Sequence, residues 1–169
     1  MQEAAKALET LDTAILGVSF RSGEFNKDLC AKEGFNFRLL SDPDRAVIKK
    51  YFVWNEKDDC AQRVTFLIDK EGFIRRIERK VNPETHGEDL VLLMKRWQEG
   101  KKIYDAYCAR CHGDDGNAEG YPSVKKLGGI GNRMTVEQII EATAATGLVN
   151  LNQFSEEELK ALAIYVAGL

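Results

Sequence analysis

The chain has 169 residues, a formal net charge of −3 and 30% charged residues, a composition that fits one globular domain or two small ones. The slight acidity argues against a nucleic-acid-binding or anionic-membrane surface. No apolar run approaches the about 18 residues a helix needs to cross a bilayer, and residues 1–6 begin acidic and lead into an amphipathic helix rather than reading as a secretory signal.

Residues 4–11 read as the end of a helix. The apolar run Thr13-Ala14-Ile15-Leu16-Gly17-Val18-Ser19-Phe20 has the look of a buried parallel strand. Residues 25–32 are helical and stop at Gly34. Residues 36–40 form a second strand, ended by Ser41-Asp42-Pro43-Asp44. That cluster also starts a helix, with Asp42 as N-cap and Pro43 at its first position. Residues 63–69 and 73–80 flank Lys70-Glu71-Gly72 and read as a hairpin. From residue 84 or 88 to about 97 a helix places Leu90, Leu93, Met94 and Trp97 on one face.

After Gly100 the pattern is helix and loop only. Residues 101–110 form a helix, with Gly100 the one obvious break before it, and a Gly-rich loop runs from 113 to 131. Thr135 caps a helix to about residue 145, with Glu137 two residues on, and Ser155-Glu156-Glu157-Glu158 is a capping box for a last helix over 156–167. Two unlike domains are expected, an α/β domain over 1–97 and an all-α domain over 98–169.

The most specific chemistry lies in Cys108-Ala109-Arg110-Cys111-His112. C-x-x-C-H is the spacing for covalent haem attachment. Two thiols on one helical turn can each add to a haem vinyl group, and the next histidine is held under the iron. A zinc site would need about four ligands, and the other candidates, His86, Cys30 and Cys60, lie far upstream. With two cysteines committed to haem, Cys30 and Cys60 remain, and sequence alone cannot pair them.

Residues 99–169 resemble a small class I cytochrome c domain. Gly100-Lys101-Lys102-Ile103-Tyr104 matches that family's first helix, whose glycine and aromatic face the C-terminal helix, here Leu159, Leu162, Ala163, Tyr165 and Val166. A glycine there lets the helices cross closely. The resemblance implies one covalent haem c held by Cys108 and Cys111, with His112 as proximal ligand. Pro122, in Gly120-Tyr121-Pro122, would accept a hydrogen bond from the far ring nitrogen of His112 through its carbonyl. A domain of ~70 residues needs the haem as part of its core. The sixth ligand departs from the family, which usually has Met-Pro-x-Phe before the last helix. Leu151-Asn152-Gln153-Phe154 stands here, and leucine has no lone pair. Met134 is the only methionine downstream of His112 and is a possible sixth ligand. An open or water-bound iron, or Asn150 or Asn152, are the other readings.

Residues 12–97 resemble peroxiredoxins of the alkyl hydroperoxide reductase/thiol-specific antioxidant family. The carriers are Ile15-Leu16-Gly17-Val18-Ser19, Phe37-Arg38-Leu39-Leu40-Ser41-Asp42-Pro43-Asp44 and Arg63-Val64-Thr65-Phe66-Leu67-Ile68-Asp69-Lys70-Glu71-Gly72. By that resemblance the domain is thioredoxin-like, and Arg63 is the arginine that contacts the peroxidatic thiolate, lowering its pKa. The family's Pro-x-x-x-Thr/Ser-x-x-Cys motif is absent from this sequence. Cys30 and Cys60 are resolving or structural thiols in this reading. The strand that precedes the family's peroxidatic cysteine would lie between the strands at 13–20 and 63–69, so the α/β domain is expected to be incomplete, as in a fragment of a longer fusion or a chain completed by a partner.

The expectation for function is haem c-dependent electron transfer by a peroxiredoxin–cytochrome c fusion. In an intact parent this would be coupled to thiol-based peroxide reduction, with a redox partner protein and peroxide as partners. The alternative is a haem peroxidase or a small-ligand-binding haem with an open sixth position. Haem attachment implies a periplasmic or equivalent location.

Overall fold

The structure is a computed structural model that describes residues 2–119 and 122–169; of the Gly120-Tyr121-Pro122 segment, Gly120 and Tyr121 lie outside the described residues. The chain forms two compact units, Met1–Val91 and Leu92–Leu169.

The first unit is α/β. Helix α1 (Gln2–Thr10) buries Ala4, Ala5 and Leu8. Strand β1 (Leu16–Ser19) pairs in parallel with β2 (Arg38–Ser41), Leu16 opposite Arg38 and Ser19 opposite Ser41. A parallel pair needs a crossover, and α2 (Gly23–Glu33) supplies it. The Ser22 hydroxyl accepts from the Phe25 N–H at 3.2 Å to start α2, and Gly34, at φ 66°, ends it. Asn26, 1% exposed, donates through Nδ2 to the Leu40 carbonyl at 3.2 Å and ties α2 to β2.

The next helix begins later than expected. Helix α3 is Ala46–Lys50, and its N-cap residue is Arg45, in the left-handed region at φ 60°. Asp42 still serves the helix from outside: its carboxylate accepts from the N–H groups of Val47 at 3.3 Å and Ile48 at 2.8 Å. Reach explains the shift, since a carboxylate four residues before the helix can satisfy the orphan first-turn donors as a cap would.

A short antiparallel pair, β3 (Trp54–Asn55) with β4 (Cys60–Ala61), follows. Two-residue strands carry no periodicity to read. The expected hairpin is present as β5 (Thr65–Ile68) and β6 (Ile74–Glu78), antiparallel. Its turn is closed by Asp69, whose carboxylate accepts from the Phe73 N–H at 2.8 Å, with Gly72 at φ 89°.

These six strands form three separate two-stranded sheets among the described residues. The expected gap between the strands at 13–20 and 63–69 is therefore seen: β1 and β5 do not share a sheet. Parallel sheets are normally covered on both faces, yet Leu16 is 58% and Val18 46% exposed. Two buried side-chain polar atoms lack a hydrogen-bond partner among the described residues, Asn26 Oδ1 and Trp54 Nε1, and both belong to this unit. The first unit is a thioredoxin-like α/β domain whose described strands pair only two by two.

The second unit is all-α. Helix α4 (His86–Tyr107) runs unbroken through Gly100, where a break was expected. A glycine in mid-helix costs about 1 kcal/mol against alanine, too little to end a helix held by packing. The unit division falls inside α4, between Val91 and Leu92, and so does the expected domain boundary at 97/98. After α4 come a short helix, α5 (Ala109–His112), a long loop, a 3-10 turn (Ile130–Asn132), α6 (Val136–Thr146), a second 3-10 turn (Leu151–Gln153) and α7 (Glu156–Ala167). Both α6 and α7 start with full capping boxes. Thr135 pairs with Gln138, three residues on rather than Glu137, and Ser155 pairs with Glu158.

The core of this unit is Ile103 and Tyr104 of α4, Ile139 of α6, and Leu162, Ala163, Tyr165 and Val166 of α7. Tyr104 is fully buried, its ring 5.2 Å from that of Tyr165, and Trp97 meets Tyr165 edge-on at 5.1 Å. This is the helix pair expected from the sequence.

Candidate functional site

Cys108, Cys111 and His112 come together on one turn because α4 ends at Tyr107 and the chain re-enters a helix at Ala109. Backbone bonds hold the turn: Cys111 N–H donates to Cys108 O at 3.1 Å and His112 N–H to the same oxygen at 3.0 Å. The two thiols are free and differ in setting. Cys108 packs against the core and Cys111 is exposed. Burial pushes the Cys108 thiol up to about 11, with a smaller contribution from Cys111. Tyr104 anchors the turn from below, donating its hydroxyl to the Gly113 carbonyl at 2.6 Å. Burial raises the Tyr104 pKa well above the usual phenol range, so the hydroxyl stays a donor.

The His112 ring is oriented by the loop that follows. Its Nδ1 lies 3.1 Å from the Lys125 carbonyl oxygen. A carbonyl can only accept, so Nδ1 carries the proton and Nε2 is left with its lone pair. The acceptor differs from expectation. Pro122, an exposed turn residue, does not make this bond; Lys125 does. The loop is drawn back by Ala118 N–H to His112 O at 2.7 Å and by Leu127 N–H to Gly116 O at 2.7 Å. This return brings residue 125, rather than 122, over the ring. Sequence spacing alone could not fix that three-residue difference.

The residues present fit a haem c group. Imidazole Nε2 is a free donor beside two thiols at the attachment spacing. Leu127, Ile130, Met134, Val136, Ile140 and Phe154 pack on the core yet stay only partly buried, apolar surface of the kind a haem would cover. Leu151 lines a small apolar recess with Ile139, Ile140, Thr143, Leu159 and Leu162. The one hydroxyl there, on Thr143, is donated to the Ile139 carbonyl at 2.8 Å. Met134 is partly buried, its N–H bonded to Ile130 O at 2.9 Å.

In the first unit, Arg63 is exposed just before β5 and has no ion pair among the described residues. Cys30 lies on α2 and Cys60 on β4, both free and half-buried. Cys60 and Arg63 line one recess. His86 hydrogen-bonds through Nε2 to Thr65 Oγ1 at 2.8 Å. No group of three or more His, Cys, Asp or Glu side chains suited to a metal ion occurs among the described residues.

The fold and site thus define two redox-type halves, a thioredoxin-like α/β unit and a helical unit with the C-x-x-C-H turn. Comparison with known proteins agrees. The model of the AhpC/TSA family matches residues 1–77, and that of "Cytochrome C oxidase, cbb3-type, subunit III" matches residues 95–166. The N-terminal half resembles a peroxiredoxin and the C-terminal half a cytochrome c domain.

Among curated relatives, Peroxiredoxin Bcp of Xanthomonas campestris is 36% identical over 48% of this chain and 54% of its own length. Alkyl hydroperoxide reductase E of Mycobacterium tuberculosis is 38% identical over 48% of this chain and 55% of its own. A solved structure of Xanthomonas campestris Peroxiredoxin Q superposes with a TM-score of 0.52 at 31% identity, over 56% of this chain and 63% of that one. The Xylella fastidiosa PrxQ structure gives 0.53 at 32%, over 56% and 62%. The chain spans between half and two thirds of the length of these relatives. No helix among the described residues is long and apolar enough to cross a membrane.

Proposed function

We propose that the C-terminal half is a one-electron carrier holding a single haem c, joined to a peroxiredoxin-type half whose thiol chemistry it supplies. The observation that carries this reading is the His112 ring, with Nδ1 held by the Lys125 carbonyl and Nε2 left as a donor beside Cys108 and Cys111. The thiols would add to the two vinyl groups and His112 Nε2 would bind the iron, while Lys125 O fixes the tautomer. The haem supplies a reversible one-electron couple. Apolar residues of α6 and of the loop before α7 would limit water at a bound haem and so tune its potential. A redox partner protein on one side and peroxide on the other are the partners of this reading, and thioether formation places the chain outside the cytoplasm.

Arg63 would stabilise a thiolate in the peroxiredoxin half. The sequence lacks the family's peroxidatic motif, so peroxide reduction in this reading would need that thiol to be supplied.

A second reading is favoured by Leu151. The loop that usually offers methionine sulfur presents an apolar side chain, and the recess it lines carries no basic side chain or sulfur. A haem held there would lack a ligand from this loop and could take small exogenous ligands. Peroxidase chemistry would further want a distal base, and His86 belongs to the first unit, with its Nε2 taken by Thr65.

The test is expression with a cytochrome maturation system, followed by a denaturing gel stained for haem. Wild type should retain stain, Cys111→Ala should weaken it, and His112→Ala should abolish the native spectrum. A wild-type band without stain would overturn the assignment.

A further inference from the structure

We propose that Cys60 is a redox-active thiol in a cation-lined recess that recognises a small disulfide bearing carboxylate groups. The proposal stands apart from the haem assignment, since every residue in it lies in the first unit.

The recess has a volume of about 630 Å³ and is lined by Cys60, Gln62, Arg63, Arg79 and Lys80 together with the Asn55 and Asn82 amides. That volume lies in the range of small-molecule sites. Three cations line it and no carboxylate does.

None of these three cations has an ion-pair partner among the described residues, as is also true of Lys6, Arg21, Lys27, Lys32, Arg38, Lys50 and Lys57; what sets the three apart is that they line one recess together. Several acids near in sequence are committed elsewhere, while Glu84, four residues after Lys80, is exposed and does not line the recess. Glu56 lies 3.8 Å from Lys49, Asp59 3.1 Å from Arg45, and Glu78 pairs with Arg76. Asp58 accepts from the Asn55 side chain at 2.5 Å. The charge of Arg79 and Lys80 is therefore open to a ligand, and that of Arg63 is open wherever no peroxidatic thiolate engages it. The recess is shallow and open, and positive charges grouped on one surface concentrate anions there. Two guanidinium forks match carboxylates in paired, planar geometry, with a lysine as a point charge beside them.

The same wall carries a nucleophile. Cys60 is a free thiol, held on β4 by its pairing opposite Asn55 of β3. An anion drawn into the recess is brought beside sulfur, and the chemistry open to a thiol there is exchange with a disulfide. The Cys60 thiolate attacks one sulfur of R–S–S–R. A Cys60–S–S–R bond forms, the R–S–S–R bond breaks, and R–S⁻ leaves to take up the proton that Cys60 released to solvent. Electrons balance without another oxidant, because the small disulfide is reduced by the amount that Cys60 is oxidised. The product is a reversible cap on Cys60 whose carboxylates rest against Arg63, Arg79 and Lys80.

The full chain is treated at low salt with oxidised glutathione, a carboxylate-bearing disulfide, and separately with cystamine, a cationic one. Mixed disulfides are quantified at Cys60 and at Cys30 by peptide mass spectrometry, Cys30 serving as internal reference. The expected result is a preference of about tenfold or more for the acidic disulfide at Cys60 and none at Cys30. Arg79→Gln with Lys80→Gln should bring the Cys60 preference down to the Cys30 value, and high salt should do the same in wild type. Circular dichroism of the double variant checks that the fold is kept, and Arg63→Gln gives an independent second variant. Equal rates for the two disulfides at Cys60, or a preference that neither the variants nor salt reduce, would overturn the proposal.

Discussion

Gly100 of α4 and Ala161 of α7 lie so close that a methyl group on Gly100 would sit 2.6 Å from the Ala161 carbonyl carbon and 2.9 Å from Tyr165 Cβ. Backbone cannot yield as a flexible side chain can, so the helices must part. Gly100→Ala should lower the stability of the second unit by about 1–3 kcal/mol, the usual cost of overpacking, despite alanine's better helix propensity. Gly23→Ala is the control: nothing lies within 4 Å of its added methyl, and it should be neutral or stabilise by up to about 1 kcal/mol. Denaturant unfolding of the two variants checks this; a Gly100→Ala chain as stable as wild type would rule out the close crossing.

The β5–β6 turn should be sensitive to acid. Burial works to raise the Asp69 pKa, but the Phe73 N–H at 2.8 Å and the Arg75 guanidinium at 2.6 Å outweigh it and hold the carboxyl below the usual range. A depressed carboxylate pKa contributes stability that is present above the unfolded value, near ~4, and is lost as pH falls through the folded one. Asp69→Asn should cost about 1–2 kcal/mol at neutral pH and should flatten the acid limb of stability against pH. An unchanged acid limb would show that Asp69 does not carry it.

The helical unit was legible where chemistry depends on local spacing. C-x-x-C-H, the Ser155 capping box and the Gly100–Tyr104 face against α7 are all local or single-period signals, and all three elements are present. What spacing could not show was set by loop paths. The Lys125 carbonyl takes the place expected for Pro122 because the loop is drawn back at Ala118 and Leu127. Asp42 reaches past three residues to serve α3. The β3–β4 pair, too short to have a period, brings Cys60 to the recess that Arg63 lines. Gly131 escaped notice for the same reason: an added methyl there would sit 2.9 Å from the Ala167 carbonyl carbon, a contact between loop and helix end that no sequence pattern marks.

Before haem is attached, the two thiols of the motif should differ in reactivity. Cys108 is packed on the core and its thiol is pushed up to about 11, first by burial and then by Cys111; Cys111 is exposed. The thiolate is the nucleophile, so Cys108 stays protonated through neutral pH and gains reactivity only as pH climbs toward that value. Alkylation of the haem-free chain near pH 8 should modify Cys111 at least about tenfold faster than Cys108. The ratio should narrow with rising pH. Equal labelling of the two at pH 8 would show that Cys108 is not shielded.

The sixth iron position should lack sulfur. The loop before α7 is a 3-10 turn over Leu151–Gln153, and Leu151 lines the apolar recess with Ile139, Ile140 and Leu162. Asn150 is occupied in capping, its side chain accepting from the Asn152 N–H at 3.2 Å. Met134 precedes α6 and is partly buried against the core, one helix before the loop that usually supplies the ligand. The oxidised holoprotein should therefore lack the weak near-infrared absorption band of methionine–iron ligation and should bind cyanide or imidazole readily. Leu151→Met places sulfur in the recess and should create the band and raise the potential, because thioether ligation favours reduced iron. A band in wild type that vanishes in Met134→Leu would make Met134 the ligand and refute the open site.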